Sequence, residues 1–101
     1  MYKVLQTETY KKWFKKLRDN IAKQSITFRI ERMKSGNFGD SKNLGDFVFE
    51  LRIDVGPGYR VYFMNDGKEI VILLVGGDKS TQEKDIKAAK KKAKEIKAWK
   101  N

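Results

Sequence analysis

Residues 47–63 read FVFELRIDVGPGYRVYF, two runs of alternating apolar and polar residues joined by Gly56-Pro57-Gly58. Period-two alternation on both sides of such a triplet predicts a β-hairpin. Folding it about Pro57 so that apolar side chains meet sets Phe49 opposite Phe63, Leu51 opposite Val61 and Ile53 opposite Tyr59. A slip of one residue would turn every side chain to the other face, so the apolar pattern determines the register. That register also sets Glu50 opposite Tyr62 and Arg52 opposite Arg60. Like charges facing one another across a sheet are destabilising. One expectation is that a polyanion or an inhibitor outside the chain neutralises the two arginines. The alternative is that Glu50 and Asp54 pair with them diagonally, as surface salt bridges worth about 0–1 kcal/mol each.

The flanking sequence supplies helices and further strands. In TETYKKWFKKLRD, residues 7–19, Tyr10, Trp13, Phe14 and Leu17 fall on one helical face, with Thr7 as cap and Glu8 in the first turn. A second helix is expected from about Asn20 to Lys34, its buried face formed by Ala22, Ile26, Ile30 and Met33, its opposite side charged, and Gly36-Asn37 as its stop. The short link at Arg18-Asp19-Asn20 makes the two an antiparallel pair. Residues 35–46, SGNFGDSKNLGD, read as a loop.

Beyond the hairpin, Asn65-Asp66-Gly67 signals a second turn, leading into the run Ile70–Val75, which has no polar alternation and suits a central strand covered on both faces. Met1–Gln6 is a possible additional strand. Gly76-Gly77 is expected to turn the chain, after which Ser80 and Glu83 have capping-box spacing and start a final helix near Thr81. Its stripe is Ile86, Ala89, Ala93 and Ile96, with eight lysines between Lys84 and Lys100 on the rest. The chain reads as one α+β domain over residues 1–101, with no repeat.

The charge narrows the partners. With 23 Lys and Arg against 13 Asp and Glu, the net charge is +10, and neutralising phosphates with such residues dominates nucleic-acid affinity. An acidic protein is the other natural partner. The longest apolar run, Ile70–Val75, falls far short of the roughly 18 residues a spanning helix needs. The charged N-terminus has no export signal, which predicts a cytoplasmic protein. The sequence has no cysteine and no histidine, so thiolate chemistry, thiolate zinc sites and imidazole acid–base catalysis are unavailable. No cofactor is expected.

GGDKST is not a phosphate-binding P-loop, because no glycine precedes the Lys-Ser pair at the required spacing. Lys79 nonetheless stands at a helix N-terminus, where anions bind readily. Arg52, Arg60 and Tyr62 share the polar side of the hairpin. Guanidinium groups clamp phosphate oxygens bidentately, and a tyrosine stacks on a base or transfers a proton. Lys42 and Lys79 are expected to converge on them, with Tyr59, Lys34 and Lys84 as further RNA contacts. The aromatics Trp13, Phe14, Phe47, Phe49 and Phe63 are assigned to the core.

GNFGDSKNLGDFVFELRIDVGPGYRVYF followed by LLVGGDKSTQEKDI resembles the HigB-like addiction-module killer branch of the RelE/ParE superfamily of type II toxins, from about Thr7 to Ile96. The resemblance implies a helical hairpin packed on a small, mostly antiparallel sheet with a C-terminal helix. It also implies a cognate antitoxin, often a helix-turn-helix protein, that would lie over the Arg52–Arg60 face. Relatives cleave mRNA on the ribosome with basic residues at positions matching Lys42, Arg52, Arg60 and Lys79. Applied here, a ribose 2′-hydroxyl would attack the adjacent phosphorus without a metal, Arg52 and Arg60 stabilising the transition state and Lys79 positioning the phosphate or protonating the leaving oxygen. The general base would be Tyr59, Tyr62 or Asp78. Relatives often place a catalytic tyrosine or histidine near the C-terminus, and this chain has neither after Tyr62. ParE-like relatives inhibit DNA gyrase, and a non-catalytic nucleic-acid-binding module is the third reading.

Overall fold

The computed structural model describes residues 1–67 and 69–100. In chain order it contains β1 (Lys3–Gln6), α1 (Glu8–Lys16), α2 (Asn20–Lys34), β2 (Ser41–Gly45), β3 (Val48–Ile53), β4 (Tyr59–Asp66), β5 (Ile70–Asp78), a 3-10 turn (Lys79–Thr81) and α3 (Gln82–Lys100). The strands form one sheet in the order β1-β5-β4-β3-β2. β1 lies parallel to β5 and every other pairing is antiparallel. The expected α+β architecture is therefore present, and Met1–Gln6 does supply a strand. None of the helices described is long and apolar enough to cross a membrane.

The sheet carries helices on both faces. Tyr10, Ala22, Ile26 and Met33 from α1 and α2 pack with Leu51, Ile53, Val61, Phe63, Val71 and Leu73 on one side. On the other, Ala89 and Ala93 of α3 pack with Val48, Tyr62, Met64, Ile72, Leu74 and Val75. Burial on both faces explains the unbroken apolar run of β5. Small alanines let α3 lie close to the strands, and the lysines between them remain outward.

The β3–β4 register matches the sequence expectation at all five positions, including Glu50 with Tyr62 and Arg52 with Arg60. Thr7 caps α1 by accepting from the Tyr10 amide at 3.1 Å, and its hydroxyl donates to the Leu74 carbonyl at 2.7 Å. One side chain thus caps the start of a helix and fastens it to β5. Thr7→Ala is expected to lower stability by about 1–2 kcal/mol, read from the urea midpoint.

Four local expectations are corrected. The stretch taken as a loop contains β2, an edge strand whose only large apolar contribution is Leu44 against the α3 side. Pairing with β3, rather than its own polar composition, makes it a strand. Phe47 is not core: it sits in the β2–β3 turn at φ 71°, exposed, with the Lys97 ammonium 5.0 Å from its ring centroid. The last helix starts at Gln82, near Thr81 as expected, but the capping box is formed by Asp78 and Thr81 instead of Ser80 and Glu83, and it caps the 3-10 turn that leads into the helix.

Gly76-Gly77, the fourth, does not turn the chain; both residues lie inside β5. A Cβ on Gly76 would stand 2.1 Å from the Trp13 indole, and one on Gly77 would collide with the Asp85 carboxylate. The pair lets a ring from α1 and an acid from α3 press against the strand from opposite sides.

Candidate nucleic-acid interface

The polar side of the hairpin is the side that α3 covers. Val48, Tyr62 and Met64 belong to the α3 cluster, so alternation places Glu50, Arg52 and Arg60 on the same face. Lys42 pairs with Glu50 across β2 and β3 and joins that face. Two rungs result, Lys42–Glu50–Tyr62–Val75 and Arg52–Arg60–Gly77. The first turn of α3 crosses above them.

Glu50 is fully buried and holds the rungs together. Its Oε1 lies 3.1 Å from Arg52 Nε and 3.9 Å from Arg60 Nε, and its Oε2 accepts from the Gln82 amide at 2.8 Å. The expectation that the two arginines await an outside anion is therefore corrected. A carboxylate of the same chain already lies between them, as in the diagonal alternative, but buried instead of at the surface. Asp85, also buried, accepts from Thr81 Oγ1 at 2.5 Å and rests on Gly77, the partner of Arg60.

The two arginines differ in access. Arg60 is 8% exposed, donates from Nη1 to the Tyr59 carbonyl at 3.1 Å, and leaves its Nε without a hydrogen bond. It anchors the interior. The Arg52 side chain keeps 38% of its surface in solvent and is fixed only through Nε among the described contacts, so its terminal nitrogens are available.

Tyr62 is sealed beneath α3. Burial pushes its phenol well above the ordinary range, and the neighbouring Glu50 and Asp85 carboxylates push it the same way. With α3 docked its ring is covered and does not open toward a nucleobase. Tyr59 faces the opposite cluster, packing against Trp13, and burial followed by Asp19 and Asp78 raises its pKa as well. Asp78 is shifted the other way, held below its usual range chiefly by the Ser80 hydroxyl. A carboxylate made less basic and two phenols held in their protonated form are all poor proton acceptors near neutral pH.

Lys79 closes the hairpin tip. Its amide donates to the Gly58 carbonyl at 3.0 Å, and its alkyl chain lies where a Gly58 Cβ would be, 2.8 Å from Cε. Only the rung Ile53–Tyr59 separates Gly58 from the arginine rung. Lys84 lines a shallow surface with Ser80, Thr81, Glu83 and Lys87 on the first turns of α3. Lys34 does not join the group: it ends α2 across the sheet, paired with Glu31 at 3.0 Å and lining a cleft with Gln6 and Tyr10.

Sequence reasoning missed Arg29. From α2 it donates to the carbonyls of Arg52 at 2.6 Å and Asp40 at 3.2 Å, tying the approach to β2 against the strand that carries Arg52. Burial lowers its pKa. The signal available was an arginine next to Ile30 of the apolar stripe, one of the two arginines in α2.

The model of the phage-derived protein Gp49-like family (DUF891) matches residues 12–98. An uncharacterised protein of Haemophilus influenzae is 56% identical over 90 residues, which cover 89% of this chain and 91% of that one. Among solved structures, a double mutant of the E. coli toxin RelE in the free state has the same fold, with a TM-score of 0.64 at 18% identity over 85% of this chain and 95% of that one.

Proposed function

The chain belongs to the phage-derived Gp49-like family, and from that premise we propose that it is the toxin of a type II toxin–antitoxin system, a HigB-like endoribonuclease that cuts mRNA on the ribosome in the cytoplasm and is held in check by a cognate antitoxin. The observation that carries this reading is Arg52, whose fork is fixed at Nε by a fully buried carboxylate while its terminal nitrogens remain in solvent. A guanidinium oriented in this way is ready to clamp two phosphate oxygens. The RelE fold of the match and the excess of positive charge support it.

In the proposed reaction the ribose 2′-hydroxyl gives its proton to a solvent water as its oxygen attacks phosphorus, the P–O5′ bond breaks, and a 2′,3′-cyclic phosphate and a 5′-hydroxyl result. Arg52 stabilises the equatorial oxygens, with Lys42 and Lys84 gathering the strand. Lys79 delivers a proton to the leaving 5′-oxygen. Arg60 contributes through the shared Glu50. None of Tyr59, Tyr62 and Asp78 is a strong base here, so the side chains act by electrostatic stabilisation and the ribosome contributes orientation.

Arg52→Ala is expected to reduce cleavage about 10²–10³-fold. Primer extension on translated mRNA reads this as the loss of discrete cuts; cuts of undiminished strength would overturn the role. The sealed Tyr62 favours one second reading, ParE-like inhibition of DNA gyrase, which requires no base. Intact message with blocked supercoiling would select it.

A further inference from the structure

The sequence assigns the outer side of α2 to charge, yet Ile21 and Phe28 stand there 68% and 60% exposed. Seven residues apart, they lie on one helical face, separated by about 10 Å along the axis. Beside them runs a groove lined by Phe14, Lys23, Gln24, Thr27 and Phe28. Cations sit on its aromatic rings: Lys23 Nζ is 5.5 Å from the Phe14 centroid, and the Arg32 guanidinium is 5.5 Å from that of Phe28. The neighbouring stretch of α1 and its exit, KKWFKKLR from Lys11 to Arg18, contains no acid.

We propose that this groove between α1 and α2 is the docking surface for an acidic, amphipathic helix of a partner protein. The apolar residues call for an apolar stripe, and the cationic rim calls for carboxylates beside it. Nucleic acid would satisfy the lysines and leave Ile21 and Phe28 wet. A second copy would set like charge against like in a chain of net charge +10. The proposal rests on the toxin reading in taking the partner to be the inhibitor, and it moves that contact away from the arginine face, which α3 already occupies.

The test uses the full chain and a synthetic 20-residue peptide with leucine at helical spacing and glutamate elsewhere, followed by fluorescence anisotropy. A peptide of the same composition with its leucines scattered is the control. Wild type is expected to bind the amphipathic peptide tightly and the control weakly. The double variant Ile21→Lys, Phe28→Lys adds positive charge at two exposed positions, so it should keep its thermal melt and still lose about tenfold or more in affinity. Unchanged or tighter binding would mean that charge alone attracts the peptide, and would overturn the proposal. Wild-type self-association abolished in the variant would overturn it too, by making the groove a homodimer contact. A translation-arrest assay on the wild type separates the readings: no preference for the amphipathic peptide with arrest intact removes the groove alone, whereas peptide binding without arrest removes the toxin reading alone.

Discussion

Glu50→Ala is expected to lower folding stability by about 3–5 kcal/mol, because removing one partner of a buried ion pair leaves uncompensated charge behind. Arg60 would keep a guanidinium at 8% exposure with only the Tyr59 carbonyl as a partner among the described residues, Arg52 would lose the anchor of its Nε, and the Gln82 amide would lose its acceptor. The same change loosens the first turn of α3, since Gln82 reaches the sheet through that carboxylate. Urea denaturation measures the loss. Glu50→Gln retains an acceptor for Gln82 without the charge and should fall between wild type and alanine. An alanine variant within about 0.5 kcal/mol of wild type, the range of ordinary surface changes, would show that other groups neutralise the arginines.

Gly76→Ala should cost about 3 kcal/mol, at the upper end of ordinary overpacking. The added methyl would lie 2.1–2.4 Å from three atoms of the Trp13 indole. That ring is not a loose end: it contacts Tyr10 at 5.7 Å and Tyr59 at 6.4 Å between centroids. To admit the methyl, α1 must lift from β5 or the ring must leave the core. Combining Gly76→Ala with Trp13→Leu should then cost less than the sum of the two single changes, as residues in contact couple. Strict additivity in calorimetry would mean that the indole does not occupy the space above Gly76.

The hairpin was legible in the sequence because two independent patterns agreed. Alternation in ELRI and YRVYF and the Gly-Pro-Gly turn admit one register, and that register is observed. The helices of the first third were legible for the same reason, periodicity plus the cap at Thr7, whereas Asp19, which caps α2, read only as part of the link. What stayed hidden depends on contacts made by distant residues. Nothing local in SKNLG predicts a strand; the free edge of β3 does. Gly76-Gly77 carries the same signature whether it bends a chain or admits bulky neighbours, and only the arrival of Trp13 and Asp85 decides.

The largest shortfall concerned the candidate site. Arg52 and Arg60 were correctly set opposite one another, but alternation cannot tell whether a polar face meets water or a third layer. The alanines Ala89 and Ala93 decide that it meets α3, and with it Tyr62 and Glu50 pass from surface to interior. The exposed Ile21 and Phe28 were not legible because the buried stripe alone accounts for the helical period of α2, and its other side is rich in charged and polar residues.

The parallel pairing of β1 with β5 also bears on the order of assembly during synthesis. The bond from the Thr7 hydroxyl to the Leu74 carbonyl spans 67 residues, so the first strand to leave a ribosome waits for the fifth before it has a neighbour. Long-range pairing of this kind is slow and leaves apolar edges bare meanwhile. Only when most of the polypeptide has emerged can the Arg52 scaffold be completed, since Gln82 must still arrive to brace Glu50. Nascent fragments ending before residue 82 would lack that brace, so the arginine scaffold is complete only when the chain is nearly finished.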